Sequence, residues 1–233
     1  MKICVFSDIH GNSLAFQNAL KQILSEDADL NYHLGDLCGY FFGQLEAYEM
    51  LKTIPRLVAL LGNHDRTFLD IVDGDQSLLT KYTKRYGRSM ELLLGRDFRE
   101  LRGWLEKLPQ FNVNTQIKCY ACHGSPWNNI EGYVYPDTNL IKFEELEHDF
   151  FILGHTHYPM VRRINHKLVI NPGSIGQPRH GGPPTYAVID IHQKKVSFKE
   201  ISYDRKELAD QIEELDRDNE YLKKIIWRNE KNA

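Results

Sequence analysis

The sequence has few cysteines, no long apolar run and almost no net charge. Four Cys in 233 residues are too few for a disulfide-stapled scaffold. No segment approaches the roughly 18 to 20 consecutive apolar residues that span a bilayer, and the N-terminus lacks the features of a secretory signal. A formal charge of −3 offers no broad attraction for nucleic acid or anionic membranes. We therefore expect a soluble, cytoplasmic protein with reduced thiols, no membrane association and no dedicated nucleic-acid partner.

The remaining composition is that of an ordinary globular protein. Hydrophobic residues make up 42% and charged residues 26%, which excludes a disordered chain. The length fits one domain of roughly 100 to 250 residues, and we expect residues 1–233 to form a single domain. Histidine is the exception, with ten copies. Half of these histidines lie in polar turns that directly follow predicted strands.

Short apolar runs alternate with helical patterns along the chain. The run Ile3–Phe6 is apolar at every position, which is typical of a strand buried on both faces. Asn12 or Ser13 can cap the helix that follows. Residues 66–108 are predicted to be mostly helical, and 171–184 to form an ordered loop. The pattern predicts an α/β layered fold, with a helix at 44–52 and further strands at 30–34, 56–61, 118–122, 150–153, 160–164, 167–170, 186–191 and 195–201.

Residues 204–230 are predicted to form one terminal helix. Its apolar side chains recur at alternating spacings of four and three residues, as along the contact face, or seam, of a coiled coil. They are Leu208, Ile212, Leu215, Leu222 and Ile226, and the polar residue Asn219 fills the remaining seam position. Such a helix either packs on its own domain, which we favour, or pairs with a second copy in a homo-oligomer.

Five predicted strands end in polar turns that carry metal-competent residues. The turns are Asp8-x-His10, Gly35-Asp36, Gly62-Asn63-His64-Asp65, His123-Gly124 and Gly154-His155-x-His157. Because ligands gather beyond the carboxyl ends of strands in an open α/β sheet, these turns can converge. Each turn alone could be a turn former or a helix cap, but five in succession predict a metal site.

This series resembles the motifs of the calcineurin-like metallophosphoesterase superfamily. The letters DIHG, GD, GNHD, HG and GHTH follow its order, and the likeness extends over nearly the whole chain. The later HGSP (123–126), NPGSIGQPR (171–179) and Tyr203-Asp204 resemble its small single-domain prokaryotic phosphodiesterase branch. The resemblance implies a four-layer α-β-β-α sandwich of two mixed sheets flanked by helices, with a C-terminal helix.

The resemblance also implies two divalent metal ions. Its ligand sets would be Asp8, His10, Asp36 and His157 for the first ion and Asp36, Asn63, His123 and His155 for the second, with Asp36 bridging. Mixed imidazole and oxygen ligands suit Mn²⁺, Fe, Zn²⁺ or Ni²⁺ better than Ca²⁺. We expect Mn²⁺, with Fe, Ni²⁺, Zn²⁺ or Mg²⁺ as alternatives.

The activity implied by the resemblance is hydrolysis of a phosphodiester by a metal-bound hydroxide, with His64 as general acid. The alternatives are a phosphomonoesterase, including a protein or nucleotide phosphatase, and a non-catalytic scaffold such as the retromer subunit of this fold. That scaffold lacks a histidine at the position of His64. A small phosphate ester is the expected substrate, and Arg179 either contacts its phosphate or braces the loop.

Other residues carry weaker signals. Cys119 and Cys122 could form a zinc or redox site, but residues three apart in a strand face opposite sides, which favours two buried thiols. Cys38 could lie near the metals or only in the core. Asp65 could orient a site histidine or cap a helix. We expect ordinary surface or strand positions for the histidines outside the motifs, His33, His148, His166 and His192.

Overall fold

The computed structural model describes residues 1–228. Its strands are β1 (Lys2–Phe6), β2 (Leu30–His33), β3 (Leu57–Ala59), β4 (Phe111–Asn114), β5 (Cys119–Cys122), β6 (Phe150–Leu153), β7 (Met160–Ile164), β8 (Lys167–Asn171), β9 (Thr185–Asp190) and β10 (Lys195–Glu200). Its α-helices are α1 (Ser13–Ser25), α2 (Gln44–Leu51), α3 (Asn63–Val72), α4 (Gln76–Tyr86), α5 (Ser89–Leu94), α6 (Arg99–Leu105), α7 (Arg205–Leu215) and α8 (Glu220–Ile226). A 3-10 helix spans Ile141–Glu145.

The strands form two five-stranded mixed sheets. The first has the order β10-β9-β1-β2-β3, and the second has the order β4-β5-β6-β8-β7. In the first sheet β1, β2 and β3 are parallel neighbours, and in the second β5, β6 and β8 are. The predicted fold class is therefore confirmed, and each sheet directs several strand ends toward the same edge.

Each sheet is buried on two faces. Ile3 and Val5 of β1 pack between the sheets against Ala121 and Ile152. Cys4 and Phe6 point the other way, into a core shared with the helices. This explains why β1 is apolar at every position from Ile3 onward. On the far side of the second sheet, the 3-10 helix supplies Phe143 to the packing.

The loop of residues 171–184 is packed against the end of β1, and its first half, as far as Gln177, is buried. Ser174 donates its hydroxyl to the Asp8 carbonyl at 2.8 Å, and the Gly176 amide donates to the same carbonyl at 2.9 Å. The segment thus supports the first of the predicted metal-binding turns.

The cysteines and the unassigned histidines occupy the kinds of position predicted. Cys119 faces the space between the sheets and Cys122 the opposite side, both as buried free thiols. His33 is a buried residue of β2, whereas His166 and His192 are exposed. The strand β4 was not predicted, because its apolar residues Phe111 and Val113 are exposed at a sheet edge.

The prediction of one continuous helix over 204–230 is wrong. The chain breaks into α7 and α8 at Asp216–Asn219, where the Asn219 side chain caps α8 by accepting from the Leu222 amide at 3.0 Å. Asn219 is therefore a helix cap and not a seam residue. The predicted seam residues Leu208, Ile212, Leu222 and Ile226 are buried in this chain against Tyr40–Phe42. Positions 229 and 230 lie outside the described residues.

Within the described part of the chain, no helix has both the length and the apolar character needed to cross a bilayer.

Candidate dinuclear metal centre

All seven side chains predicted as metal ligands meet at one edge of the two facing sheets. They follow β1, β2, β3, β5 and β6, in each case just beyond the carboxyl end of the strand. Asp8, His10, Asp36, His123 and His157 are buried to 98% or more. The convergence arises because parallel strands expose their carboxyl ends at a common edge.

Five of these seven residues have left-handed backbone conformations, with φ between 52° and 66°, namely Asp8, His10, Asp36, His155 and His157. Such a conformation costs a non-glycine residue about 1–3 kcal/mol and persists only where its surroundings enforce it. Interlocking backbone bonds provide that enforcement here: the His10 amide donates to the Asp36 carbonyl at 2.9 Å, and the Asp8 amide donates to the Gly35 carbonyl at 3.1 Å. The backbone is thus held in the form that turns these side chains inward.

Three imidazoles are oriented by backbone carbonyls. His10 Nδ1 lies 3.0 Å from the Cys38 carbonyl oxygen, His123 Nδ1 2.9 Å from that of Leu34, and His157 Nδ1 2.6 Å from that of Gln177. Because a carbonyl only accepts, each Nδ1 carries the hydrogen and donates it. When such a ring is neutral, as in a metal complex, its Nε2 atom keeps its lone pair toward the site, the usual arrangement of a metal-ligating histidine.

The first group of acceptor atoms gathers around Asp8. His157 Nε2 lies 3.2 Å from Asp8 Oδ1 and 3.1 Å from His10 Nε2. His10 Nε2 in turn lies 3.6 Å from Asp8 Oδ1 and 3.7 Å from Asp36 Oδ2. Among residues 1–228, Asp8 Oδ1 has no hydrogen-bond partner. Buried lone pairs that face one another at these distances are complementary to a cation.

A second group lies on the other side of Asp36. His123 Nε2 is 3.3 Å from Asp36 Oδ2, 3.0 Å from Asn63 Oδ1 and 3.1 Å from His155 Nδ1. Asp36 Oδ2 itself lacks a hydrogen-bond partner within the described part of the chain. Because this oxygen faces both groups, the donor set fits two cations with one shared carboxylate. The ligand atoms of Asp8, His10 and His157, and likewise those of Asp36, His123 and His155, all lie within 4.8 Å of one another.

The electrostatics of the metal-free cluster agree with this arrangement. Burial disfavours the charge on Asp36, but His123 and other imidazoles outweigh it and hold the pKa of Asp36 well below its usual range. Burial likewise opposes protonation of His123, yet Asp36 raises the pKa of His123 to about 9. A proton held between this pair therefore occupies the place where a cation would neutralise the same carboxylate.

His64 lies beside the cluster, but its Nδ1 is engaged elsewhere. That atom is 2.9 Å from the hydroxyl of buried Tyr82, which also accepts from the Tyr40 amide at 3.3 Å. The ring packs 4.9 Å from that of His10. Burial lowers the pKa of His64 to about 4. With Nδ1 held by Tyr82, the ring is fixed in place and its other nitrogen remains available.

Asp65 combines a capping role with support for the bridging carboxylate. Its Oδ2 accepts from the Gly62 amide at 3.1 Å, which caps α3, and from the Asp36 amide at 2.8 Å. Its Oδ1 accepts from the Cys38 amide at 2.9 Å. Asp65 therefore orients the turn that carries Asp36 rather than a site histidine, and Cys38 contributes its backbone to the same turn.

A cavity of about 440 Å³ opens over the cluster. Arg179 lines it and donates to Gln177 Oε1 at 3.0 Å and to the Tyr40 hydroxyl at 3.2 Å. The sequence analysis missed the other residues of its outer wall, which are tyrosines and arginines: Tyr40, Arg85, Tyr86, Tyr133, Tyr221 and Arg228. The four-residue spacing of Tyr82 and Tyr86 was the available signal, since it places both on one face of α4.

Comparisons with known proteins agree with the fold. Residues 1–194 match the family model of the calcineurin-like phosphoesterase superfamily domain, which ends before α7. An uncharacterized protein of Methanocaldococcus jannaschii is 29% identical over 90% of this chain and 91% of its own length. Phosphodiesterase YfcE of Escherichia coli is 24% identical over 82% of this chain and 88% of its own. The crystal structure of hypothetical protein PH1004 from Pyrococcus horikoshii has a TM-score of 0.82 at 26% identity and covers 97% of both chains.

Proposed function

Because the chain belongs to the calcineurin-like phosphoesterase superfamily, we propose that it is a dinuclear metal-dependent phosphodiesterase. The observation that carries the proposal is the position of Asp36, whose Oδ2 faces two groups of buried acceptor atoms at once. A site for two cations needs a shared anion between them. Asp36, whose carboxylate faces both groups, is the residue that would supply it.

The residues present fit two divalent ions of the first transition series. Asp8, His10, Asp36 and His157 would hold the first, and Asp36, Asn63, His123 and His155 the second. Imidazole and carboxylate ligands favour Mn²⁺ or a related ion over Ca²⁺, and we propose Mn²⁺. Bound at such a site, divalent ions lower the pKa of water and neutralise the charge on phosphate.

His64 is proposed as the proton donor to the leaving oxygen. Its Nδ1 lies 2.9 Å from the Tyr82 hydroxyl, which can donate to the neutral ring and accept from the protonated one. Burial, together with His157 and His123, lowers the pKa of His64 to about 4, but an anionic phosphate beside it favours the protonated form. The ring can thus gain a proton when substrate is bound and release it to the departing oxygen.

The shape of the cavity favours a phosphodiester over a phosphomonoester. Lining side chains extend from the cluster in two directions, toward Tyr86 beyond His64 and toward Tyr133 beside His155. A diester places a substituent on each side of phosphorus, whereas a monoester fills one direction only. Arg179 lies among these walls, and we propose that it contacts substrate phosphate while it also braces its loop through Gln177.

A paired assay tests this proposal. The Mn²⁺-loaded protein is assayed with bis(p-nitrophenyl) phosphate and with p-nitrophenyl phosphate, with Asp36→Asn as the control for contaminating enzymes. We expect a higher kcat/KM for the diester and loss of both activities in the variant. A preference for the monoester would assign a phosphatase instead, and inactivity toward both esters in metal-replete protein would favour a scaffold.

A further inference from the structure

Tyr82 is a buried residue whose hydroxyl is engaged with two polar atoms of the protein. It belongs to α4, outside the strand-end turns, and is 4% exposed. Its hydroxyl oxygen accepts from the Tyr40 amide at 3.3 Å and lies 2.9 Å from His64 Nδ1. The rings of Tyr82 and His64 meet edge to face at 5.6 Å. Tyr82 therefore contacts the proposed proton donor from within the core.

The bonding of this hydroxyl determines which nitrogen of His64 carries hydrogen. The Tyr40 amide can only donate, so it occupies one lone pair of the Tyr82 oxygen. Among residues 1–228, the other polar atom bonded to that hydroxyl is His64 Nδ1. If Nδ1 donated as well, the buried hydroxyl hydrogen would be unpaired, which is unfavourable inside a protein. The hydroxyl therefore donates to Nδ1, and in the neutral ring the hydrogen lies on Nε2.

This arrangement is the reverse of that at the predicted metal ligands. His10 and His157 each donate from Nδ1 to a backbone carbonyl oxygen, at 3.0 Å and 2.6 Å. When such a ring is neutral, its Nε2 presents a lone pair. In neutral His64 the Nδ1 lone pair is taken by Tyr82 and Nε2 carries the hydrogen, so neither nitrogen has a lone pair for a cation.

A third group of potential ligand atoms includes His64. Single ligand atoms of His10, Asp36 and His64 all lie within 4.8 Å of one another. On distance alone, His64 could therefore join the other two in binding a cation. The hydrogen bond from Tyr82 opposes this because it leaves His64 without a free lone pair. His64 can instead donate a hydrogen into the cavity that it lines.

The backbone beside this hydrogen bond lets the two rings approach. Gly39 lies next to both partners, with a φ of 114°. A Cβ at this position would lie 2.8 Å from His64 Nδ1 and 3.1 Å from the Tyr82 hydroxyl oxygen. Any side chain at residue 39 would therefore press on the hydrogen bond, and glycine avoids this contact.

The helix that carries Tyr82 is also fixed at its C-terminal end. Asn219 Nδ2 donates to the Tyr86 carbonyl at 3.1 Å, and Asp216 Oδ2 accepts from the Arg88 amide at 2.9 Å. Tyr82 lies one turn before Tyr86, and their rings are 5.0 Å apart. The turn between α7 and α8 thus helps to hold the Tyr82 hydroxyl in place.

From this geometry, and resting on the proposed function, we infer that Tyr82 is a positioning residue for His64. Its hydroxyl holds the imidazole in one orientation and in the tautomer with hydrogen on Nε2. His64 then meets the substrate as a donor to a phosphate oxygen and is kept from binding metal. When the ring is protonated, the added hydrogen lies on Nδ1, and the Nε2 hydrogen is the one released to the leaving oxygen.

Nitrogen NMR of the histidines tests the inference apart from catalysis. In metal-free protein labelled with ¹⁵N-histidine at mildly alkaline pH, correlations between ring protons and nitrogens show which nitrogen carries hydrogen. His64→Gln identifies the His64 signals. We expect hydrogen on Nε2 in the wild type and a mixture of tautomers in Tyr82→Phe. Hydrogen on Nδ1 in the wild type, or an unchanged ring in Tyr82→Phe, would overturn the inference.

The matched control is Tyr48→Phe. Tyr48 is a buried tyrosine of the same core cluster, and its hydroxyl donates to Glu100 at 3.3 Å. This variant therefore also loses one tyrosine hydroxyl, but not the one that contacts His64. It should leave the His64 tautomer and the activity unchanged. A change of tautomer equal to that in Tyr82→Phe would overturn the specific role of Tyr82.

Kinetics of the Mn²⁺-loaded protein provide the second arm. With diphenyl phosphate as substrate, Tyr82→Phe should lower kcat at least about tenfold. In a His64→Ala background the same substitution should have no further effect, because Tyr82 acts through His64. An unchanged kcat, or an equal loss in both backgrounds, would overturn the inference while leaving a phosphodiesterase in place. Inactivity of the metal-replete wild type would instead overturn the proposed function, and NMR would still determine the tautomer.

Discussion

The inner and outer halves of the cavity are built in different ways. The inner half consists of strand-end turns whose backbone is locked, with left-handed residues and side chains oriented by carbonyl groups, as at His10 and His157. The outer half consists of longer side chains from α4, α8 and two loops, partly exposed and joined by side-chain contacts. The family model covers the first and ends before α7 and α8. The turns that carry the predicted ligands all lie within the region matched by the family model, whereas the outer half also draws on α8, which lies beyond it.

The largest effect is expected at the centre of the inner half. Asp36→Asn removes the charge of the shared ligand, so the protein should bind fewer than two metal ions and lose at least about 10³-fold in kcat. Metal analysis and kinetics of the same sample measure both. If the variant kept two metal ions and high activity, the inner half of the cavity would not determine metal binding and chemistry as proposed.

A smaller loss is expected at His64, where the two halves meet. His64→Ala should lower kcat by about 10² to 10³-fold while two metal ions stay bound, because the variant loses only proton transfer. The loss should be greater for an alkyl leaving group than for p-nitrophenolate, which needs no proton to depart. Near wild-type turnover with both ions bound would contradict the assignment.

Metal affinity should depend on pH through the inner half alone. Since Asp36 raises the pKa of His123 to about 9 in the metal-free protein, binding must displace a proton at neutral pH. Affinity should therefore rise with pH up to that value, by up to about tenfold per unit for each proton released. Calorimetry in buffers of different ionisation enthalpy counts the protons. The Arg85→Gln variant, changed only in the outer half, should show the same dependence of metal affinity on pH. A changed number of released protons in that variant would show that the two halves of the cavity are not independent.

The smallest effect is expected at Gly87, which supports the outer half. Its φ is 95°, and a Cβ there would collide with Asn219 and Asp216. Gly87→Ala should reduce the free energy of unfolding by about 1–3 kcal/mol. It should also raise KM for the diester severalfold, with two metal ions retained. Gly74→Ala is a matched control, since it has a similar φ of 112° with open space around it; equal KM values in both variants would count against docking of α7–α8 as the cause.

The inner half could be predicted from sequence because each ligand directly follows a strand. Asp8 and His155 are far apart along the chain, but each lies in a short turn that the sequence marks with glycine. Once the strands are parallel neighbours, their ends must meet, so position along the chain determines position in space.

The outer half could not be predicted in the same way. Tyr86 and Tyr221 are brought together by the turn between α7 and α8, and that turn was hidden by an apolar spacing compatible with one helix. The cluster Asp216-Arg217-Asp218-Asn219 contained the contrary signal, since Asn favours helix N-caps. The capping preference of Asn219 outweighed the coiled-coil spacing of the apolar residues. The resulting turn brings Tyr221 against Tyr86.

The most direct test of the central claim is a metal titration followed by both stoichiometry and activity. Metal-free protein is titrated with Mn²⁺, and hydrolysis of bis(p-nitrophenyl) phosphate is measured at each step beside the metal content of the desalted protein. We predict two ions per chain and full activity only as the second site fills. Full activity with fewer than two ions per chain would contradict the claim.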